Sequence, residues 1–517
     1  MPKSKVYKIL SNLNELKWSV ALKGILTGLL AGFLVVFYRL GIQHGNNIAV
    51  KIFAYLKIHP LMILPWIVVA ISIGLVLAWL IKLEPMATGS GIPQVEGQVL
   101  YGLKMKWYSI LFVRFISGII SSFFGLSLGR EGPSIQIGAC GSQAVAKKIS
   151  KNKLEENYLI TGGAAAGLSA AFCAPLSGIV FALEEVHRSF SPLILIAATT
   201  ASLTADVVSK YFFGLKPVLH FTTIPQLPEN LYLWLIPLGI FSGLVGIILN
   251  KSLLAFQTLY NKVPLRIRPV IALLIALPCG LFLPQVLGGG QNLVEIAESL
   301  GNEMNILLIF IIVKLLFTVT SFGSGVPGGI FMPILSVGAL SGSIFALAAT
   351  HFGLPAEYIP DFAVCAMAGA LSSSVKAPIT SILLTAEMTG SLMHLLPVAA
   401  CSFIALFLSD IFKVTPIYEA LLDRIMESNN KNIKNEKLGG LVEIPVELGS
   451  VVAGKTLREV DWPKGILVVG IHRGDKDIIP QGDTKIAPGD YLVVLSSEYT
   501  YEDMSNKIRR LCLTKLE

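Results

Sequence analysis

Uncharged apolar stretches separated by short polar loops run through most of the chain. A helix needs about 20 apolar residues to cross the hydrocarbon core of a bilayer. Residues 59–81, 230–250, 269–294, 315–356 and 388–409 meet that length, and a first span is expected at 18–38. The stretch from Leu315 to Ala356 holds no charge but many Gly, Ser and Pro residues. Two others, 132–146 and 160–183, are apolar yet short or rich in Gly and Ala. Irregular backbone at membrane depth is tolerated only inside protein or along a wet cavity, so tilted and broken helices are expected. The pattern changes after Met426. A polar linker is expected at 427–437, then strands at 441–446, 465–472 and 491–496, a short helix at 455–462 and a terminal helix at 499–512. That order describes a compact α+β module.

Composition sharpens the division. Apolar residues make up 53% and charged residues 14% of the chain, with a mean hydropathy of +0.69. A soluble chain carries about 25% charged residues. Yet 13 Lys/Arg and 14 Asp/Glu fall within residues 427–517 alone. The net +8 therefore belongs to the apolar part, where positives form short clusters rather than the basic face a nucleic acid polymer would need. Lys3, Lys5, Lys8 and Lys17, then Lys147, Lys148, Lys151 and Lys153, then Arg266 and Arg268 mark loops expected on the cytoplasmic side. Both termini are expected there too. No cleavable signal peptide is apparent. Five of the six cysteines lie inside apolar stretches and read as small core residues, and no metal-ligand spacing occurs.

The chain also repeats itself. Gly129-Arg-Glu-Gly-Pro133-Ser-Ile-Gln-Ile-Gly138-Ala139 aligns without a gap on Gly329-Ile-Phe-Met-Pro333-Ile-Leu-Ser-Val-Gly338-Ala339, at an offset of 200. Leu168, Ser169, Ala174, Pro175, Ile179 and Glu184 match Leu371, Ser372, Ala377, Pro378, Ile382 and Glu387 at an offset of 203. Two blocks in the same order indicate duplication. In both halves Gly and Pro precede a small-residue apolar run, the pattern of a helix that begins within the membrane. The first amides of a helix lack internal partners and carry partial positive charge, which favours an anion. The competing reading is that these glycines only allow close helix packing. Glu131 stands outside that reading, because an acid at such a start is costly and points to function, with pairing to Arg130 as its simpler alternative. A carboxylate there would mimic the anion when ionised and vacate its place when protonated.

Gly89-Ser90-Gly91-Ile92-Pro93, Gly129-Arg130-Glu131-Gly132-Pro133 and Gly329-Ile330-Phe331-Met332-Pro333, followed by Tyr418, resemble the signature segments of CLC chloride channels and transporters. The resemblance covers roughly 20–426. It implies an all-α polytopic membrane protein with the CLC-type inverted repeat over 1–426, a linker at 427–437, and a small cytoplasmic α+β domain at 438–517. It further implies a homodimer in a bacterial plasma membrane with no metal and no cofactor. By the same resemblance, Ser90 and Tyr418 offer hydroxyls to a chloride ion, the amides of Ile330 and Phe331 complete the site, and Glu131 is the external gate. Alone, Ser90 reads as a turn residue and Tyr418 as an interfacial aromatic. Family members are either passive channels or chloride/proton exchangers. The exchangers carry an inner acidic residue, which falls here on Glu185. Glu184 recurs as Glu387 and reads as structural, whereas Glu185 faces Met388 in the repeat; its simpler reading is a partner for Arg188. Relatives that prefer nitrate replace the serine by proline, so chloride is the expected substrate.

Two competing motifs carry less. Gly323–Gly328 fits GxGxxG, but no acid follows before Glu357. Gly125–Gly129 fits GxSxG around Ser127, with His351 and His394 as conceivable bases for an intramembrane serine protease. In the tail, Gly454-Lys-Thr-Leu-Arg-Glu-Val and Pro488-Gly-Asp-Tyr-Leu-Val-Val resemble the RCK-C/TrkA-C domains of bacterial potassium-transport regulators. That resemblance implies pairing as a dimer and leaves two readings open: binding of a small effector, a cyclic dinucleotide being the first candidate, or an appendage that only stabilises the dimer.

Overall fold

The computed structural model describes residues 5–215, 217–219, 227–299, 303–433, 441–463, 466–473, 476–496, 508 and 511–512. The first eight helices are α1 (Lys5–Ile58), α2 (Ile63–Leu83), α3 (Ile92–Tyr101), α4 (Trp107–Phe123), α5 (Glu131–Ile149), α6 (Lys153–Phe172), α7 (Pro175–Phe181) and α8 (Pro192–Phe213). Eight more follow in the same order. They are α9 (Leu235–Asn261), α10 (Arg268–Phe282), α11 (Gln291–Ser299), α12 (Met304–Gly323), α13 (Phe331–Thr350), α14 (Ile359–Val375), α15 (Pro378–Thr389) and α16 (Leu395–Ile411). The helix α17 (Ile417–Ile433) closes the helical part. Packing repeats with the order: α5 lies on α6 and α6 on α8, as α13 lies on α14 and α14 on α16. Among the described residues, seven helices are long and apolar enough to cross a membrane. The chain is a multi-pass membrane protein.

The breaks follow from local sequence. Cys173 and Lys376 both end a helix in the left-handed conformation, at φ of 52° and 64°. Ala174 and Ala377 then precede prolines, which keeps both out of the α region, and new helices start at once. Residues 123–131 and 323–331 trace the same turn, with Gly125 and Gly325 at φ of 68° and 80°. The expected break in 315–356 lies here, between α12 and α13.

The two halves also hold each other. The Glu387 carboxylate accepts from the amides of Leu176 and Ser177 at 3.0 and 2.7 Å and from the Ser177 hydroxyl. Glu184 accepts in the same way from Ile379, Thr380 and the Thr380 hydroxyl. Each repeat thus supplies the acid that caps a helix start in the other, and Glu184 has the structural role its recurrence suggested.

Three expectations need correction. The first helix does not stop near residue 38. It continues to Ile58 because Arg39, only 5% exposed, lies over the Phe213 ring at 3.8 Å and donates to Ala170 O and Ser209 Oγ. The polar stretch after Met426 is helical as far as Ile433, so it is not a linker over its whole length. The short helix at 455–462 is a single 3-10 turn, Leu457–Glu459, closed by a capping box between Thr456 and Glu459.

The tail forms an antiparallel sheet in the order β1-β4-β2-β3, from β1 (Leu441–Pro445), β2 (Ile466–Arg473), β3 (Lys476–Ile478) and β4 (Tyr491–Ser496). The expected strands are present and β3 is additional. Most of the expected terminal helix lies outside the described residues. Arg473 binds both Asp490 oxygens at 2.7 Å, pinning β2 to the turn before β4. Replacing Glu184 or Glu387 by Ala removes three hydrogen bonds to a charged acceptor. Each change should cost about 2 kcal/mol or more and lower Tm in detergent, and an unchanged Tm in both would contradict the reciprocal caps.

Candidate functional site

Gly129 and Gly329 face one another and exchange both backbone hydrogen bonds, N–H to O at 2.7 Å in each direction. Equivalent residues of the two repeats therefore meet antiparallel, and the starts of α5 and α13 converge on this point. Cavities lie on either side. One, of about 310 Å3, is lined by Gly129, Arg130, Glu131, Gly288, Gln291 and Met332. The other, of about 280 Å3, is lined by Thr88, Ser90, Gln94, Phe322, Leu421 and Arg424. Arg424 lies on α17, which leads to the tail, so the second cavity opens on the tail side.

Between them sits a buried constriction. Glu131, Ile330, Phe331, Tyr418 and Ser90 are each no more than 2% exposed. Glu131 opens α5, with its carboxylate facing backbone amides at the starts of both α5 and α13. Neither carboxylate oxygen makes a hydrogen bond of good geometry, and the same holds for the Ser90 and Tyr418 hydroxyls. Those two hydroxyls face each other. The Phe331 ring meets Tyr418 edge-on at 5.7 Å, and Ile330 caps the start of α13, which Phe331 opens. All five residues are thus brought together: the unpaired Ser90 and Tyr418 hydroxyls are free to donate to a small anion, and the unpaired Glu131 carboxylate is itself an anion at the same helix starts.

Glu185 sits elsewhere, on the tail side. It lies in a π-helical turn, Ala182–Val186, that continues α7 and is 5% exposed. Such turns hold one extra residue and often mark functional sites. The second repeat has none: α15 stays α-helical through Met388 to Thr389. Arg188 stands near Glu185, but its close ion pairs are with other carboxylates. Arg188, left-handed at φ 51°, reaches Glu96 at 3.0 Å and Glu419 at 3.6 Å.

Sequence reasoning missed two buried cations. Arg114 on α4 is fully buried and donates to the carbonyls of Thr88, Gly89 and Ser90 at 3.0–3.1 Å. Lys314 on α12, also fully buried, donates to Val286 and Gly288 at 3.0 and 2.7 Å. Each holds the glycine loop before a short helix, α3 or α11. A cation that gathers these carbonyls turns them away from the path. The two lie at the same offset of 200 as the first repeat block, which is the signal that would have found them.

The protease motif has no dyad. Ser127 Oγ lies 2.7 Å from Thr318 Oγ1, His394 lies 2.8 Å from Asp361, and His351 is exposed. The Gly323–Gly328 loop follows a helix rather than a strand, so the dinucleotide fingerprint has no context here.

A buried polar constriction between two cavities, formed where two repeats of a multi-pass membrane protein meet, fits a transmembrane transport protein. Comparison with known proteins supports the same class. The voltage gated chloride channel family model matches residues 73–410, and the TrkA-C domain model matches 441–508. The H(+)/Cl(-) exchange transporter ClcA of Salmonella paratyphi B is 32% identical over 422 residues, covering 79% of this chain and 89% of that protein. ClcA of Yersinia pestis is 30% identical over 440 residues, covering 82% and 91%. The solved structure of a slow cyanobacterial Cl-/H+ antiporter superposes with a TM-score of 0.74 at 27% identity, over 80% of this chain and 99% of that one. A CLC-type fluoride/proton antiporter shares the fold with a TM-score of 0.62 at 22% identity, over 80% and 98%. The chain belongs to the voltage gated chloride channel family, and it carries a TrkA-C domain at its C-terminal end.

A Cβ at Gly132 would lie 2.4 Å from the Ser90 carbonyl oxygen and 2.5 Å from its hydroxyl. Gly132→Ala should therefore displace Ser90 and lower chloride flux from liposomes by roughly tenfold or more, the value of one hydrogen bond to a charged acceptor. Flux at the wild-type rate would place Ser90 away from the ion path.

Proposed function

We propose that this protein exchanges chloride for protons across a bacterial plasma membrane, as a homodimer with one anion path per subunit and both termini in the cytoplasm. The observation that carries the reading is the position of Glu131. It is a buried carboxylate at two converging helix starts that lines one cavity, while Ser90 and Tyr418 stand between it and the other. Chloride binds between the Ser90 and Tyr418 hydroxyls and the amides of Ile330 and Phe331. The ionised Glu131 carboxylate competes for the same helix-start charge, so it closes the path towards the outer cavity. Protonation removes its charge and with it the attraction, and the side chain leaves the path to chloride.

Coupling needs a second acid on the tail side, and Glu185 supplies it. Its π turn, the neighbouring Glu96, Arg188 and Glu419, and the absence of any acid at its repeat partner Met388 support a dedicated proton route. That route is separate from the cavity that admits chloride. Relatives named as exchangers, similar over most of this chain, support the same reading. The tail binds a small ligand, with a cyclic dinucleotide as the first candidate, and biases transport only through unequal affinity for two transporter states. Arg473 is committed to Asp490, so other tail cations must meet the phosphates. Titrating the full-length protein with cyclic di-AMP in a calorimeter tests this part, and no heat of binding would remove it.

The exchange itself is tested in liposomes loaded with chloride, with voltage clamped and a proton gradient imposed. Uphill chloride movement is expected, and strictly downhill movement would indicate a channel instead. Glu131→Gln should retain chloride flux and abolish proton coupling. Glu185→Gln should stop proton transport while chloride still moves. Proton transport that persists in either variant would remove that residue from the mechanism. Ser90→Pro should shift the chloride-to-nitrate flux ratio towards nitrate by roughly tenfold, because one donor to the charged ion is lost.

A further inference from the structure

The tail touches the membrane domain at one informative place. Glu447, two residues after β1, is fully buried. Its Oε2 accepts from the Ser189 hydroxyl at 2.9 Å, and its Oε1 lies 3.6 Å from His187 Nε2. His187 and Ser189 close the π turn that carries Glu185: His187 N–H donates to Ala182 O at 2.9 Å and Ser189 N–H to Leu183 O at 3.1 Å.

Besides Glu419 of α17, which lies 3.6 Å from Arg188, three elements pin this turn from outside. Thr161 on α6 lies 2.9 Å from His187 Nδ1, Glu96 on α3 holds Arg188, and the tail supplies Glu447. A π turn ending on a left-handed non-glycine residue is a costly conformation that persists only where its surroundings hold it. The contact is not an isolated touch. Tyr491 at the start of β4 is buried in one apolar cluster with Leu154, Tyr158, Ile179 and Leu183, and its hydroxyl accepts from Asn157 at 3.3 Å. The same junction encloses a space of about 100 Å3 lined by Val20, Leu154, Leu448 and Pro488.

We propose that Glu447 is a positioning residue for Glu185: docking of the tail through Glu447 on His187 and Ser189 holds the π turn in its proton-accepting shape, so the tail acts on the proton leg of transport and not on the chloride leg. This deepens the exchange reading and rests on Glu185 as the inner proton acceptor. Among the described residues the anion constriction has no tail residue in it, whereas the turn bearing Glu185 is held by one. A ligand that draws the tail away from this junction would uncouple protons from chloride without closing the anion path.

The test compares Glu447→Ala in the full-length protein and in a Glu185→Gln background, with proton and chloride fluxes recorded separately in liposomes. Loss of a hydrogen bond to a charged group predicts a proton flux lower by roughly tenfold in Glu447→Ala. Chloride flux in Glu185→Gln should be the same with and without the added change. Glu447→Asp should restore part of the proton flux, and Ser189→Ala, which removes the donor from the membrane side, should lower it as Glu447→Ala does. Equal falls in both fluxes, also in the Glu185→Gln background, would make Glu447 a general packing residue and overturn the proposal. Unchanged proton flux in both Glu447→Ala and Ser189→Ala would overturn it as well. Failure of the underlying reading is distinguishable, because Glu185→Gln alone would then still move protons.

Discussion

Gly129 and Gly329 each give the other an N–H and take back a carbonyl, both at 2.7 Å, and the site depends on that mutual pairing. It brings together two helix starts separated by 200 residues, where the proposed anion would sit. Side chains are excluded there by contact: a Cβ on Gly329 would lie 2.7 Å from the Glu131 carboxylate. The partial positive charge of helix amides falls off within the first turn, so a separation of even a few ångströms would leave each start too weak alone. Reciprocal capping by Glu184 and Glu387 holds the same two halves together at a second point.

Symmetry gives this scaffold its rigidity, and departures from symmetry give it chemistry. Where the repeats agree, the residues are structural: the turn glycines, Pro133 and Pro333, the two capping glutamates, and the buried cations Arg114 and Lys314. Where they differ, one copy carries a reactive group. Glu131 stands opposite Phe331, Glu185 opposite Met388, and Ser90 opposite Gly289, which lies between two positive-φ glycines just as Ser90 does. Tyr418 lies beyond both repeats, on α17. In the exchange we propose, this symmetric pair of helix starts becomes a path with a gate on one side and a polar cradle on the other.

Much of this was readable from residue order. The duplication, the broken segments and the strands of the tail follow from apolar run lengths and from Gly and Pro positions, and Glu131 stands out as an acid at a broken helix start. Ser90, Ile330, Phe331 and Tyr418 are marked only by the resemblance to CLC proteins. What escaped notice depends on tertiary pairing. Arg39 looked like the end of a span because its cover, Phe213 and the Ala170 carbonyl, comes from distant helices. Arg114 and Lys314 were inconspicuous because their carbonyl partners sit in glycine loops 24–28 residues earlier, which no local pattern links to them. The π turn at Glu185 leaves no periodic trace, since a single extra residue shifts the register by less than the pattern can show. Docking of Glu447 joins segments 258 residues apart, and no local pattern marks it.

Direct location of the ion tests the central claim that two converging helix starts and two hydroxyls form the anion site. Crystals of the protein grown with bromide in place of chloride, measured at the bromine absorption edge, would show it. The account predicts an anomalous peak between Ser90 Oγ, Tyr418 Oη and the amides of Ile330 and Phe331, and a second peak at the carboxylate position when Glu131 is replaced by Gln. A fully occupied crystal with no peak at the constriction, or with bromide bound only at surface cations, would contradict it.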